Sequence, residues 1–242
     1  MSLPTVYRAL KSIKISRKNL RREASERSQI CRDSYMLEVS RYIYEMLVYL
    51  DKSAANERTA QRKRGWAAFG IRPVILYPVK RSERFSVLPA YISDGILASH
   101  IYQGAINGAR FEWFLANEVL PRCTPFPGPR SVLIMDNCST YYSAGVKALC
   151  DHHGVILLCL PPYSPDYNPI EEFFSVLKAW LKRHFELAEG ISFKTFLETA
   201  VASYSGGQYT KGYFEHAGVY VGEYKDELQE RFEDDYETDF EE

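Results

Sequence analysis

Three carboxylates stand where a hard metal ion could be held. Asp51 ends the apolar run EMLVYL, Asp136 follows SVLIM, and Glu171 follows LPPYSPDYNPI. Residues 137 to 170, 34 in all, separate the second from the third. Carboxylate oxygens suit Mg²⁺ or Mn²⁺, and two-metal centres use them to serve both the attacking and the leaving oxygen of a phosphodiester displacement. Each residue alone has a plainer use: an Asp after a strand caps or turns the chain, and an early-helix Glu answers the helix dipole. The four prolines between Leu160 and Pro169 strengthen the combination, because they stiffen the approach to Glu171. Glu172 competes for the same assignment. Asn137 and Asn168 are candidates to orient these groups, or equally to cap their loops.

The elements needed to position these residues are readable from apolar periodicity. PTVYRALKSI at 4–13 reads as a short helix, followed by the basic stretch SRKNLRR and a second helix from about Glu23 to Arg41 whose apolar residues call for a packing surface, a partner subunit being one candidate. MLVYL reads as a strand, and RGWAAFG with PVILYPV as a further strand or hairpin around the turn signal GIRP. Segments 85–92 and 95–103 read as sheet on either side of SDG, and 108–120 as a helix with Phe111, Phe114, Leu115 and Val119 inward. SVLIM and VILLCL are continuous apolar strands with a helix between them, and IEEFFSVLKAWLKRHF is an amphipathic helix. A helix over 191–200 and a loop at SGGQYTKG complete the reading. Apolar strands alternating with helices imply a helix-covered, partly parallel sheet. The expected fold is α/β: a ribonuclease-H-like mixed sheet flanked by helices, with a short basic helical N-terminal segment. Asp51 and Asp136 then fall at strand ends, the usual ligand border of such sheets.

Composition narrows the function classes. The chain has 242 residues, 46% hydrophobic, enough for a substantial core. No apolar stretch reaches membrane-spanning length and the N-terminus lacks a secretory pattern, so neither a membrane partner nor secretion is expected. Five cysteines without a CxxC pair imply a reducing compartment. No glycine-rich phosphate loop is present, so no nucleotide cofactor is expected. Cys150, His152, His153 and Cys159 match no ordinary zinc spacing, and Cys138 has no evident His–acid relay. Trp66, Trp113 and Trp180 read as core or interface anchors. The net charge of -1 hides an asymmetry: seven Lys or Arg and no acid from Arg8 to Arg22, against eleven acids from Glu223 to Glu242. A basic arm suits a phosphate backbone, and the acidic tail reads as a solvated end.

VYLDKSAANERTAQRKRGWAAFG, VLIMDNCSTYYS and LPPYSPDYNPIEEFFSVLKAWLKR together resemble the catalytic blocks of mariner-type transposases and their bacterial insertion-sequence relatives, the DDE superfamily endonucleases. The resemblance covers about Tyr44 to Phe185, more weakly Ser2 to Arg41. It implies that Asp51, Asp136 and Glu171 are the catalytic, metal-binding triad for Mg²⁺ or Mn²⁺. It also implies cleavage of double-stranded DNA at transposon ends, followed by attack of the freed 3′-hydroxyl on target DNA. Two copies acting as a homodimer are implied, with a nuclear location in a eukaryotic host and a cytoplasmic or nucleoid one otherwise. Arg17, Lys18, Arg21, Arg22, Arg58, Arg62, Lys63, Arg64 and Lys178 are the candidate DNA contacts.

Three departures from the family pattern stand out. Lys52 follows the first Asp where Glu is common, and Tyr141 and Tyr142 stand where histidines are usual. Only PTVYRALKSI and its flank match the helix-turn-helix units expected before the catalytic domain. The expected organisation is a remnant DNA-binding region and linker at 1–41, an endonuclease domain at 42–205, and an extension with an acidic tail at 206–242, in an N-terminally shortened, transposon-derived chain. The rival readings are a catalytically inactive DNA-binding or interaction protein, and a structural protein reusing the fold.

Overall fold

The computed structural model describes residues 3–16, 25, 27–61, 66–74, 83–136, 142–204, 206–207 and 209–222. In chain order these form α1 (Leu3–Ser12), α2 (Gln29–Val39), β1 (Leu47–Leu50), β2 (Ser53–Ala55), β3 (Phe85–Ile92), β4 (Gly95–Gln103), α3 (Gly108–Phe114), β5 (Val132–Met135), α4 (Ala144–His152), β6 (Ile156–Cys159), α5 (Ile170–Arg183), α6 (Phe193–Ala202) and α7 (Thr210–His216). No helix among the described residues is long and apolar enough to cross a membrane.

The sheet is mixed, as the sequence implies. β1, β5 and β6 run parallel, whereas β3 is antiparallel to β1 and β2, and β4 is antiparallel to β3. Strand periodicity sorts the side chains onto two faces. Leu47 and Tyr49 of β1, with Val132 and Ile134 of β5, join one buried cluster with α2, α5, α6 and α7. Val48, Leu50, Leu133 and Met135 point the other way, to Phe111, Phe114, Val146 and Cys150 under α3 and α4. Both faces are covered, so the parallel strands read as unbroken apolar runs.

β1 and β2 lie end to end along β3. Leu50 pairs with Ala90 and Ser53 with Val87, which leaves Leu88 and Pro89 opposite Asp51 and Lys52. A proline brings no ladder N–H, and Pro89 sits where the neighbouring ladder is broken. The same break frees Asp51 from the sheet.

Several expected elements differ. No strand forms over the described part of RGWAAFG and PVILYPV, residues 66–74; Trp66, Phe69, Ile71 and Val74 are exposed there. The second strand is instead Ser53–Ala55, too short to signal itself. Trp66 is therefore not a core anchor; Trp113 is also exposed, and Trp180 is half-buried against His184 and Phe196. α2 begins at Gln29, where the Ser28 side chain caps it, and its buried Arg32, Tyr35 and Val39 face this same domain. α3 gives way to a π turn at Leu115–Val119 and a 3₁₀ turn at Leu120–Arg122, yet Phe111, Phe114, Leu115 and Val119 all point inward as expected. α7 starts within SGGQYTKG, expected to be a loop, because Phe214 and Val219 seal the core from that side. Packing thus reaches beyond both 42 and 205.

Candidate active site

The acidic centre follows from strand register. Leu50 of β1 pairs with Met135 of the parallel neighbour β5. The next residues, Asp51 and Asp136, therefore leave adjacent strands side by side, about one strand spacing (~4.8 Å) apart. β6 continues the ladder as Leu160 N–H donates to the Met135 carbonyl (2.9 Å), after which the chain turns through PPYSPDYNP. That turn delivers Glu171 to the first turn of α5, where a negative charge also favours the helix dipole. Asp51, Asp136, Glu171 and Asn168 line one open cleft of about 420 Å³ with Leu160, Tyr163 and Ser164, within the size range of small-ligand sites.

The environments of the three carboxylates differ. Asp136 and Glu171 are exposed, whereas Asp51 is half-buried. Burial pushes the Asp51 carboxyl up to about 7, assisted by the negative charges of Glu171 and Asp136 and opposed by the Lys52 backbone N–H. That N–H donates to Oδ1 at 2.6 Å, and Asn168 Nδ2 donates to Oδ2 at 3.0 Å. Asn168 is itself buried and fixed, its Oδ1 accepting from Ile170 N–H at 3.3 Å and its carbonyl from Glu171 N–H at 3.1 Å. The orienting role of Asn168 thus has a geometry. Asn137 lies outside the described residues.

The donor set is chemically that of a hard divalent cation: three carboxylates on one cleft, one of them pushed up chiefly by burial and further by the other two. Among the described residues, no three His, Cys, Asp or Glu side chains are gathered tightly enough to hold one ion. Chelation therefore requires the exposed Asp136 and Glu171 side chains to turn inward. Glu172, the competitor, points elsewhere, to His216 Nδ1 at 3.0 Å.

Of the candidate DNA contacts, Arg17, Lys18, Arg21, Arg22, Arg62, Lys63 and Arg64 lie outside the described residues, as do Cys138 and Tyr141. Arg58 is exposed on the turn after β2. Lys178 is half-buried on α5, its Nζ 5.9 Å from the Phe174 ring centre, and is not part of the cleft wall. The zinc alternative gains nothing: Cys150 is buried with its thiol pushed up to about 12 by desolvation, and the Cys159 thiol is also raised, chiefly by burial. Such thiols stay protonated and are poor ligands.

Sequence reasoning missed Tyr163, an exposed aromatic on the cleft wall held at φ 54°. It also missed Arg27, Arg32 and Asp166, which join α2 to the turn before Asn168. A lone Asp in SPDYNP carries no sign of a guanidinium 134 positions away.

Comparison with known proteins places the chain. The family model described as DDE superfamily endonuclease matches residues 46–194. A pre-cleavage Mos1 transpososome is 19% identical with a TM-score of 0.66, over 93% of this chain and 72% of that one. A Mos1 mariner paired-end complex with Mn is 18% identical at the same score and coverage. The catalytic domain of Mos1 mariner transposase is 14% identical with a TM-score of 0.54, over 83% of this chain and 91% of that one. A search of curated protein sequences found no match. The chain belongs to the DDE superfamily endonucleases and shares the ribonuclease-H-like fold of the mariner transposases.

Proposed function

We propose that this protein is a metal-dependent DNA endonuclease and strand-transfer enzyme of the transposase type. The observation that carries the reading is the register that sets Asp51 and Asp136 side by side on parallel strands, with Glu171 on the same cleft. These three residues are the proposed ligands of Mg²⁺ or Mn²⁺. When bound, the metal would activate the attacking water or 3′-hydroxyl and neutralise charge on the leaving oxygen.

The chain's own residues do the rest. Asp51 must lose its proton before it can ligate, so its raised pKa couples site assembly to pH. Asn168 holds the Asp51 carboxylate in one orientation. The Pro-rich turn keeps Glu171 at the mouth of the cleft. The cleft is open among the described residues, so a duplex can bring its scissile phosphate up to the carboxylates. The proposed partner is double-stranded DNA, gripped by the basic N-terminal segment and Arg58, in an assembly of two copies. The likeness to a Mos1 transpososome and to a Mos1 paired-end complex supports this partner and this pairing.

The test is nicking of supercoiled plasmid by purified protein in Mn²⁺, with Asp136→Asn alongside. The expected result is Mn²⁺-dependent nicking that falls to the metal-free background in the variant. Folded protein that binds DNA yet makes no product would establish the inactive DNA-binding alternative.

A further inference from the structure

One buried charge lies outside the acidic centre yet reaches it through a short chain of contacts. Arg32 of α2 is only 5% exposed. Its Nη1 donates to Asp166 Oδ1 at 3.0 Å and its Nη2 to Oδ2 at 2.7 Å, a two-pronged pair. Its guanidinium carbon also lies 3.9 Å from the centre of the Tyr167 ring. Tyr35, one turn further along α2, stacks on the same ring with centroids 5.7 Å apart and planes 19° apart. Arg27 Nη2 adds a contact to Asp166 Oδ2 at 2.9 Å.

Asp166 and Tyr167 form the 3₁₀ turn Pro165–Tyr167, and the next residue is Asn168, which bonds Asp51. The turn's own bonds are few: Tyr167 N–H to the Ser164 carbonyl (3.1 Å) and Asn168 N–H to the Pro165 carbonyl (3.0 Å). A single turn is poorly stable alone. A planar fork on a carboxylate, stacked on an aromatic, supplies the missing constraint, because it fixes direction as well as distance. A merely stabilising ion pair gains little from burial. This one sits two residues from the group that orients Asp51.

We propose that Arg32 is a positioning residue for the acidic centre: through Asp166 and Tyr167 it holds the turn that presents Asn168 to Asp51, so α2 sets the geometry of the metal ligands. The proposal rests on the metal-centre reading above. Partners that orient metal ligands typically govern affinity by about 10–100-fold.

The experiment uses the full chain, with Arg32→Gln, Arg32→Lys, Asp166→Asn and Asp136→Asn. Hydrogen exchange is measured on the metal-free protein, and Mn²⁺ affinity by electron paramagnetic resonance. In Arg32→Gln and Asp166→Asn the Tyr167 and Asn168 amides should exchange faster while α6 amides are unchanged. Mn²⁺ affinity should fall about 10-fold, with Arg32→Lys only partly restoring it because an ammonium lacks the fork. Asp166→Asn changes no volume, so it decides the matter should Arg32→Gln not fold. Unchanged turn amides would overturn the proposal. So would a loosened turn with wild-type Mn²⁺ affinity. Wild-type Mn²⁺ binding that is untouched by Asp136→Asn would instead sink the metal-centre reading, and the positioning role with it.

Discussion

Asp51 is costly to ionise in the metal-free protein, and the cost has a sign. Its carboxyl is pushed up to about 7 by burial and by Glu171 and Asp136, against about 3.9 in an unfolded chain. Between those values the folded state holds a proton that the unfolded state has released, so stability falls as pH rises from about 4 to 7. Urea unfolding of metal-free protein should show a loss of about 2 kcal/mol between pH 5 and 8, and the loss should shrink in Asp51→Asn. Mn²⁺ should reverse the trend, stabilising more at pH 8 than at pH 6, because ligation needs the deprotonated form. A pH-independent metal effect would contradict the role given to Asp51. Asn168→Ala should weaken Mn²⁺ binding about 10-fold while leaving the fold intact, since the amide orients Asp51 without ligating; titration calorimetry would read the change.

At the scale of elements, the strands that carry the acids were legible because strands buried on both faces declare themselves as unbroken apolar runs. LVYL and VLIM needed only their register to bring Asp51 and Asp136 together. β3 and β4 have the bounds expected from FSVLPAYI and GILASHIYQ. What stayed hidden was tertiary in origin. Three residues, Ser53–Ala55, make a strand only because β3 offers them a ladder. Residues 66–74 carry strand-like apolar side chains yet leave them in solvent. α2 calls for a packing surface in the sequence and finds it in this chain, where Arg32, Tyr35 and Val39 are buried. α4, which links the two parallel strands β5 and β6, depends on a local device: Ser143 Oγ accepts from Val146 N–H at 3.1 Å and donates to Glu112 Oε1 at 2.7 Å. Ser143→Ala should cost about 1 kcal/mol in denaturant unfolding. Mn²⁺ affinity should hold, because the cap touches none of the ligands.

Across the whole molecule, the helix-covered sheet leaves its acidic cleft at the C-terminal edges of β1, β5 and β6, and the charge is polarised along the chain. A net charge of -1 gives no general attraction to nucleic acid, so under the proposed function the basic segment supplies it. Replacing Arg17, Lys18, Arg21 and Arg22 by Ala should lessen the slope of log K for DNA against log salt by about 3–4. An unchanged slope in fluorescence-anisotropy titrations would remove that segment from the DNA interface. In the proposed function Asp51, Asp136 and Glu171 form one metal centre. The most direct measurement is anomalous diffraction from crystals soaked in Mn²⁺. The expected result is density between the three carboxylates, with Asp136 and Glu171 turned inward. Density only elsewhere, or none in the cleft at millimolar Mn²⁺, would contradict it.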